Sequence, residues 1–410
     1  MSGPLEGFKI LELTSTVSGP FAGMMLADQG AEVIKVEPPG IGDLARFMGA
    51  TKLGTGAMFT VLNRNKKSIC LDLKNSDDLS ILKELIKKTD ILLENYRPGI
   101  VAKLGIDYHS VTELNPEIIY CSISGYGQTG PYKERKVYAP LIQATTGTAA
   151  AQNPESPEMF RTIVFDKVTA LTTAQALTTA LLQKERTGKG QYLPISMMES
   201  ALYYSWPDMM MNQTFLEGGD SIGELADFFC AYKTKDGFIT IILIPTDAVF
   251  GVFCEYFKLK LHEDERFIDA ASRVKNGIEL KTEVNKTTEK FTTDELIAVM
   301  DEHGIPASVV NQLEDIHKDP QVIEQGSLVE VEHPIAGAMR MPKPPFSFRN
   351  QDKFPKTQAT VLGADTREVL EELEIDQSHI ERLEEREKQN RELLAEFDVN
   401  KSYNLKKISK

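Results

Sequence analysis

The first half of the chain alternates between short apolar runs rich in Val, Ile and Leu and helical patterns, and this alternation restricts the fold more than any other feature. In order come FKILELT, PFAGMMLADQGA, EVIKVE, SICLDL, SDDLSILKELIKKTD, ILLENY, VTELNP and IIYCSIS. Strands separated by helix-length segments predict a parallel sheet with helices on both faces, a Rossmann-like layer. One helix reads clearly over 76–88. Ser76 stands as its N-cap, Asp77 and Asp78 favour the positive end of the dipole, and Lys87 and Lys88 favour the negative end. Leu79, Leu82, Leu85 and Ile86 make its buried stripe.

Residues 166–185, DKVTALTTAQALTTALLQKE, read as a long, largely buried helix ending near TGKGQ, where Gly188 and Gly190 permit a turn. A Met- and aromatic-rich stretch, SWPDMMMNQTF, and a glycine-containing loop, EGGDSIG, follow. FFCAYKTKDGFITIILI then reads as two strands about a Lys-Asp-Gly turn. Helices are expected at 246–257, 279–290 and 293–303, so the whole is an α/β protein. The expected organisation is a large Rossmann-like domain at 1–200, a linker at 201–225 and a smaller α+β domain at 226–330. A return segment with a charged C-terminal helix, 331–410, rejoins the large domain.

Charge narrows the function. The 60 acidic side chains against 46 basic ones give a net charge of −14, whereas a nucleic-acid binder needs surplus Lys and Arg to displace counterions. No apolar run approaches the roughly 20 residues of a membrane span, and the first residues lack the pattern of an export signal, so a cytoplasmic protein is expected. Cys70, Cys121, Cys230 and Cys254 are scattered, which predicts free thiols and neither disulfides nor a zinc site. The surplus of acid lies wholly in residues 201–410, and half of it falls in 365–397, read as a solvated helical face. Residues 1–200 are neutral overall.

Common enzyme signatures are missing. TSTVSGP replaces the GxGxxG that a nicotinamide or flavin enzyme carries after its first strand, and no GxSxG elbow is present. What remains is a set of basic and amide groups placed after strand ends: Arg46, Lys74, the Asn95-Tyr96-Arg97-Pro98-Gly99 run and Lys103. Each alone reads as a solvated surface charge. Together, at the carboxyl ends of strands in an open α/β sheet, they suit a phosphorylated ligand. Asp166 opens an apolar helix and by pattern alone is a cap. Tyr138 reads as a packed aromatic, and Ser124-Gly125-Tyr126-Gly127-Gln128 as a turn that lets backbone approach a ligand.

Read together, these segments resemble the family III CoA-transferases, whose relatives include α-methylacyl-CoA racemase. The carriers are GPFAGMMLADQGAEVIKVEPPGIGDLAR, NRNKKSICLDLK, ENYRPG, NPEIIYCSISGYGQTGPY, KVYAPLIQATTG and ERTGKGQYLPISMMESAL. The resemblance implies that Asp166 is the carboxylate that becomes acylated. It places Val17, Ser18, Arg46, Leu71, Asp72, Leu73, Lys74, Asn95, Tyr96, Arg97, Lys103, Lys136, Val137, Tyr138 and Ala139 where the family contacts CoA. It implies acyl-CoA and a carboxylic acid as substrates, no tightly bound cofactor or metal, and an interlocked homodimer.

The implied chemistry is attack of Asp166 on the donor thioester, giving a mixed anhydride, followed by an aspartyl-CoA thioester that the acceptor acid resolves. The racemase relatives place a His where Tyr138 stands, and a tyrosine is a poor general base at neutral pH, which favours transfer. Formyl-CoA transferase carries a run of glycines before its small domain. The stretch here, Glu217 to Gly223, has fewer glycines and two acids, which argues against formate or oxalate. The alternatives are an acyl-CoA racemase or isomerase acting at the α-carbon, and a CoA-binding protein with a degenerate site.

Overall fold

Six strands form one parallel sheet: β1 (Lys9–Leu13), β2 (Glu32–Glu37), β3 (Lys66–Cys70), β4 (Ile91–Glu94), β5 (Ile119–Ser124) and β6 (Gln191–Ser196). Their spatial order is β3-β2-β1-β4-β5-β6, the order of a dinucleotide-binding fold, so the connection reverses direction between β1 and β4. The computed structural model describes residues 3–52, 55–219, 229–243, 246–348 and 354–396. Two compact units emerge: Met1–Thr146, Met159–Leu202 and Gly326–Lys410 make the larger, and Gly147–Glu158 with Tyr203–Gln325 the smaller.

The alternation of the strands decides which helix covers which face. Leu11, Leu13, Leu92 and Tyr120 point into one core, and Ile10, Ile91, Leu93, Ile119 and Cys121 into the other. In chain order the helices of the first half are α1 (Ser18–Asp28), α2 (Ala57–Asn63), α3 (Ser76–Lys87), α4 (Ile100–Leu104) and α5 (Tyr108–Leu114). They continue as α6 (Ala139–Thr145), α7 (Thr148–Gln152), α8 (Val164–Thr187) and α9 (Met197–Met209). α1 and α8 supply Ala22, Leu26, Ala170, Leu177 and Leu181 to the second core, and α3 supplies Ile81, Leu82, Leu85 and Ile86 to the first.

Two local readings need correction. The N-cap of α3 is Asn75, whose Oδ1 accepts from the amides of Asp77 and Asp78 at 2.9 and 3.2 Å, and Ser76 is the first helical residue. An amide side chain caps as well as a hydroxyl, and pattern alone cannot choose between neighbours. The long helix α8 ends where expected, on Gly188 in the left-handed region, but only one of its faces is buried. Leu171 and Leu182 stand on the other, 57% and 52% exposed.

In the smaller unit, β7 (Tyr232–Lys233) and β8 (Phe238–Ile241) form the expected hairpin about the Lys-Asp-Gly turn. α10 (Asp247–Tyr256), α11 (Ala270–Lys275), α12 (Gly277–Thr288) and α13 (Thr293–Glu302) follow, the last opened by a Thr292/Glu295 capping box. β9 (Ala307–Val309) adds a third antiparallel strand beside β8, too short to stand out in the sequence. After α14 (Pro320–Glu324), the chain forms the antiparallel hairpin β10 (Leu328–His333) and β11 (Gly337–Pro342). It closes with α15 (Thr366–Glu371) and α16 (Gln377–Glu396). Val369, Leu370, Ile380 and Leu383 of this pair belong to the first core of the sheet, so the segment read as a solvated face has a buried side. Among the described residues no helix is long and apolar enough to cross a membrane.

Candidate active site

The expected site residues lie in the loops that follow the parallel strands and in the helical turns those loops lead into. The loop after β1 rests on a buried polar network. Glu12 accepts from Lys35 at 3.1 Å and Lys66 at 2.7 Å, while Lys35 also reaches Asp43 at 2.9 Å and the Thr14 carbonyl at 2.8 Å. Burial alone would discharge Lys35, but Asp43, Glu12 and Glu37 hold it above the usual lysine range. Asp43 in turn accepts from the Thr16 amide at 2.9 Å, holding Thr16 at φ +72, an unfavourable value for a β-branched residue. That turn delivers Val17 and Ser18, both buried, to the start of α1.

At the point where the sheet order reverses, Asn95 ties the loops after β1 and β4 together. Its Oδ1 accepts from the Ser15 amide at 3.0 Å and its Nδ2 donates to the Ser15 carbonyl at 2.9 Å. This is where open α/β sheets bind ligands. Tyr96 is half-buried; Arg97, and Lys103 in the last turn of α4, are exposed. Glu94 ends β4 fully buried, accepts from the Tyr96 amide at 2.8 Å and has no cationic partner among the described residues. Burial pushes its carboxyl up to about 7 against the hydrogen bonds from Ser122 and Tyr96.

After β3, the Leu71 side chain is buried, so only its backbone is open to a ligand. The Asp72 amide donates to Asp78 at 2.8 Å and the Asp72 carboxylate accepts from the Lys74 amide at 3.1 Å. Leu73 packs at the rim of the first core, and Lys74 is exposed. Lys74, Arg97, Lys103 and Lys136 have no acidic partner among the described residues.

Arg46 differs from what its position promised. It is 5% exposed, and its Nε and Nη2 donate to Glu37 at 2.9 and 2.7 Å while Phe59 lies against the guanidinium, 3.7 Å from its ring centre. Glu37 is held at about 2 because Arg46 and Lys35 outweigh its burial. Arg46 is therefore a structural cation in this structure, committed to an internal carboxylate.

The last part of the edge gathers around the start of α8. Ile142, Phe165, Val168, Met197 and Ala201 form one apolar cluster, with Tyr126, Val137 and Met198 packed on it. It brings the turn after β5, the 136–139 segment, the first turn of α8 and the end of β6 together. Gly125 makes this possible by its lack of a side chain: a Cβ there would lie 1.9 Å from Val137 Cγ1. Its glycine serves this close packing. Ala139 is buried and Lys136 exposed. Tyr138 is 71% exposed and thus not the packed aromatic expected from pattern.

Asp166 lies in the first turn of α8 but does not cap it; the N-cap is Ile163, with no side-chain hydrogen bond. Its carboxylate has no hydrogen-bond or ion-pair partner among the described residues. Burial pushes it up to about 6. Gln143, buried on α6, fixes the approach to this turn by accepting from the Phe160 amide at 2.7 Å and donating to the Thr162 carbonyl at 3.2 Å. Nothing local marks Gln143 in the sequence, and Glu12, Lys35 and Lys66 are readable there only as charges interrupting apolar strands. The stretch from Glu217 to Gly223 lies outside the described residues from 220 onward. Among the described residues no cluster of His, Cys, Asp or Glu could hold a metal ion.

Comparison with known proteins gives a consistent picture. The model of CoA-transferase family III matches residues 5–366. Human succinyl-CoA:glutarate CoA-transferase is 34% identical over 90% of this chain and 86% of its own length. Succinyl-CoA–D-citramalate CoA-transferase of Chloroflexus aurantiacus is 33% identical over 88% and 90%. Among solved structures, a CaiB/BaiF family protein from Brucella suis superposes with a TM-score of 0.80 at 29% identity, covering 91% of this chain and all of its own.

Proposed function

Since the chain belongs to CoA-transferase family III, a family that takes CoA thioesters as substrates, we propose that it moves CoA from an acyl-CoA donor to a carboxylic acid through Asp166. The observation that carries this reading is the state of Asp166: a largely buried carboxylate on the helix turn that also carries Phe165 and Val168 of the apolar cluster, with no partner among the described residues. Such a group is poorly solvated and available to attack.

In the proposed sequence an Asp166 oxygen adds to the donor thioester carbonyl, the C–S bond breaks, and CoA leaves as its thiolate, giving a mixed anhydride. The thiolate then attacks the aspartyl carbonyl, releasing the donor acid as a carboxylate and leaving an aspartyl-CoA thioester. The acceptor carboxylate repeats the same two steps in reverse, restoring Asp166 and yielding the new acyl-CoA. Lys74, Arg97, Lys103 and Lys136 are proposed to meet the CoA phosphates, and backbone at Val17, Ser18, Leu71 to Leu73 and Asn95 to Tyr96 to line the ligand. Val137, Tyr138 and Ala139 complete the wall next to Asp166. Arg46 acts in this reading only through the loop it stabilises.

The named activities of the relatives at 33–34% identity involve succinyl-CoA with glutarate or citramalate, which supports short dicarboxylic acids as the substrate class. The reading also includes a cytosolic, interlocked homodimer, to be tested by sedimentation and cross-linking. Incubating the enzyme with succinyl-CoA and a panel of mono- and dicarboxylic acids tests the activity. Acid-dependent formation of new acyl-CoA is expected, lost in Asp166→Ala while CoA binding is kept. Full transfer by Asp166→Ala would overturn it.

A further inference from the structure

The C-terminal helix does more than cover the sheet. Arg382, Arg386 and Asn390 recur every four residues, so they share one face of α16. Arg386 Nη1 pairs with Asp78 Oδ2 at 2.7 Å, and its Nη2 donates to the carbonyl of Cys70, the last residue of β3, at 2.8 Å. Arg382 Nη2 donates to Asp78 Oδ1 at 3.0 Å. Asn390 accepts from the Gly40 amide at 3.0 Å, in the loop after β2.

Asp78 is the hub. It is fully buried, and the oxygen that meets Arg386 also accepts from the Asp72 amide, 2.8 Å away. A buried carboxylate holds its place only with its counter-charges present. Removing the guanidinium therefore loosens the group that fixes the first peptide of the Leu71–Lys74 loop. The helix itself stays docked through Ile380 and Leu383, which belong to the core and not to this contact.

We propose that α16 is a clamp on the loops at the carboxyl edge of the sheet, and that Arg386 is a positioning residue for CoA binding, acting through Asp78 on the Leu71–Lys74 backbone. The proposal rests on the reading that this loop contacts CoA. It differs from a purely structural role because affinity for CoA responds to the fraction of molecules in which the loop is held ready.

The test uses the full chain and CoA itself as the probe. Calorimetric Kd for CoA, kcat and KM for the acyl-CoA donor, and amide exchange at Asp72 and Asn75 are measured in Arg386→Gln, Arg386→Lys, Lys74→Ala and Arg367→Gln. Arg367 joins α15 to α16 through Glu384 without touching the loop, and so serves as the control. Arg386→Gln is expected to raise Kd and KM roughly tenfold, the effect of a loop in place in about one molecule in ten, with kcat within about twofold and faster exchange at both amides. Arg386→Lys recovers part of the affinity, and Arg367→Gln changes none of it. Wild-type Kd in Arg386→Gln alongside weakened binding in Lys74→Ala overturns the clamp and leaves the CoA reading standing. Wild-type Kd in Lys74→Ala and Arg386→Gln together, with accelerated exchange, overturns the placement of CoA on this loop and the clamp's role with it. Should Arg386→Gln fail to fold, Arg382→Gln must show the same pattern at smaller size, or the proposal fails.

Discussion

Replacing Asp166 by Asn should make the protein more stable, and the gain should depend on pH in a defined way. In the unfolded chain the carboxyl titrates near 3.8, whereas in the folded protein burial raises it to about 6. A raised carboxyl pKa means that folding opposes the charged form, so stability falls as pH rises from about 4 through 6 and is level above that. The interval of about two pH units corresponds to ~3 kcal/mol at neutral pH. Part of the side chain reaches solvent, and screening there reduces the expected value to about 1–2 kcal/mol. Asn has the same shape and no charge, so Asp166→Asn should match wild type near pH 4 and exceed it by this amount at pH 7, a few degrees in Tm. Differential scanning calorimetry of both proteins from pH 4 to 8 reads the difference, in which the other titrating groups cancel. A gap that is constant with pH, or that favours wild type at neutral pH, would refute the claim that burial holds Asp166 in an unfavourable charged state. The proposed role of Asp166 as nucleophile accounts for such a cost, because the same desolvation keeps a carboxylate reactive.

Other consequences follow from the same geometry. Arg46→Ala leaves buried Glu37 without its paired guanidinium and with only Lys35 nearby, so a loss of about 3 kcal/mol in denaturant unfolding is expected, whereas a neutral result would mean Arg46 is not the structural cation described. Gly125→Ala drives a methyl group into Val137 and should raise KM for the acyl-CoA donor by displacing the 136–139 segment; unchanged KM would show that the segment adapts. Glu94, raised to about 7 by burial, should lend stability below pH 4.5 that is lost as pH rises through 7. Glu94→Gln removes that slope, as urea midpoints across this range would show.

Much of the large unit was legible because its strands are buried on both faces and therefore read as unbroken apolar runs, as in ILLE and IIYCSIS. The hairpin of the smaller unit was equally open, since Lys-Asp-Gly is a local signal. The positions of Lys74 and Asn95 just beyond strand ends were legible from the strand pattern. Several misreadings concern charged residues whose partners meet them only in the fold. Arg46 was read as free because Glu37 and the Phe59 ring meet it only in the fold. Arg382 and Arg386 fall in the 365–397 stretch that reads as a solvated face, because their partner Asp78 lies some three hundred residues away. Their helix is acidic on one side and buried on the other, and net charge cannot report which side a given residue takes. Gln143 carries no local signal, and Glu12 only that of a charge interrupting an apolar strand, since their roles are defined by tertiary contacts.

In the proposed reaction CoA becomes covalently attached to Asp166 during turnover. Incubating the enzyme with an acyl-CoA donor, trapping with hydroxylamine, and mapping the peptides by mass spectrometry tests it most directly. A hydroxamate at Asp166 that depends on the donor and is absent in Asp166→Asn is expected. Transfer of CoA proceeding with Asp166 unmodified, or with the label on another carboxylate, would contradict it.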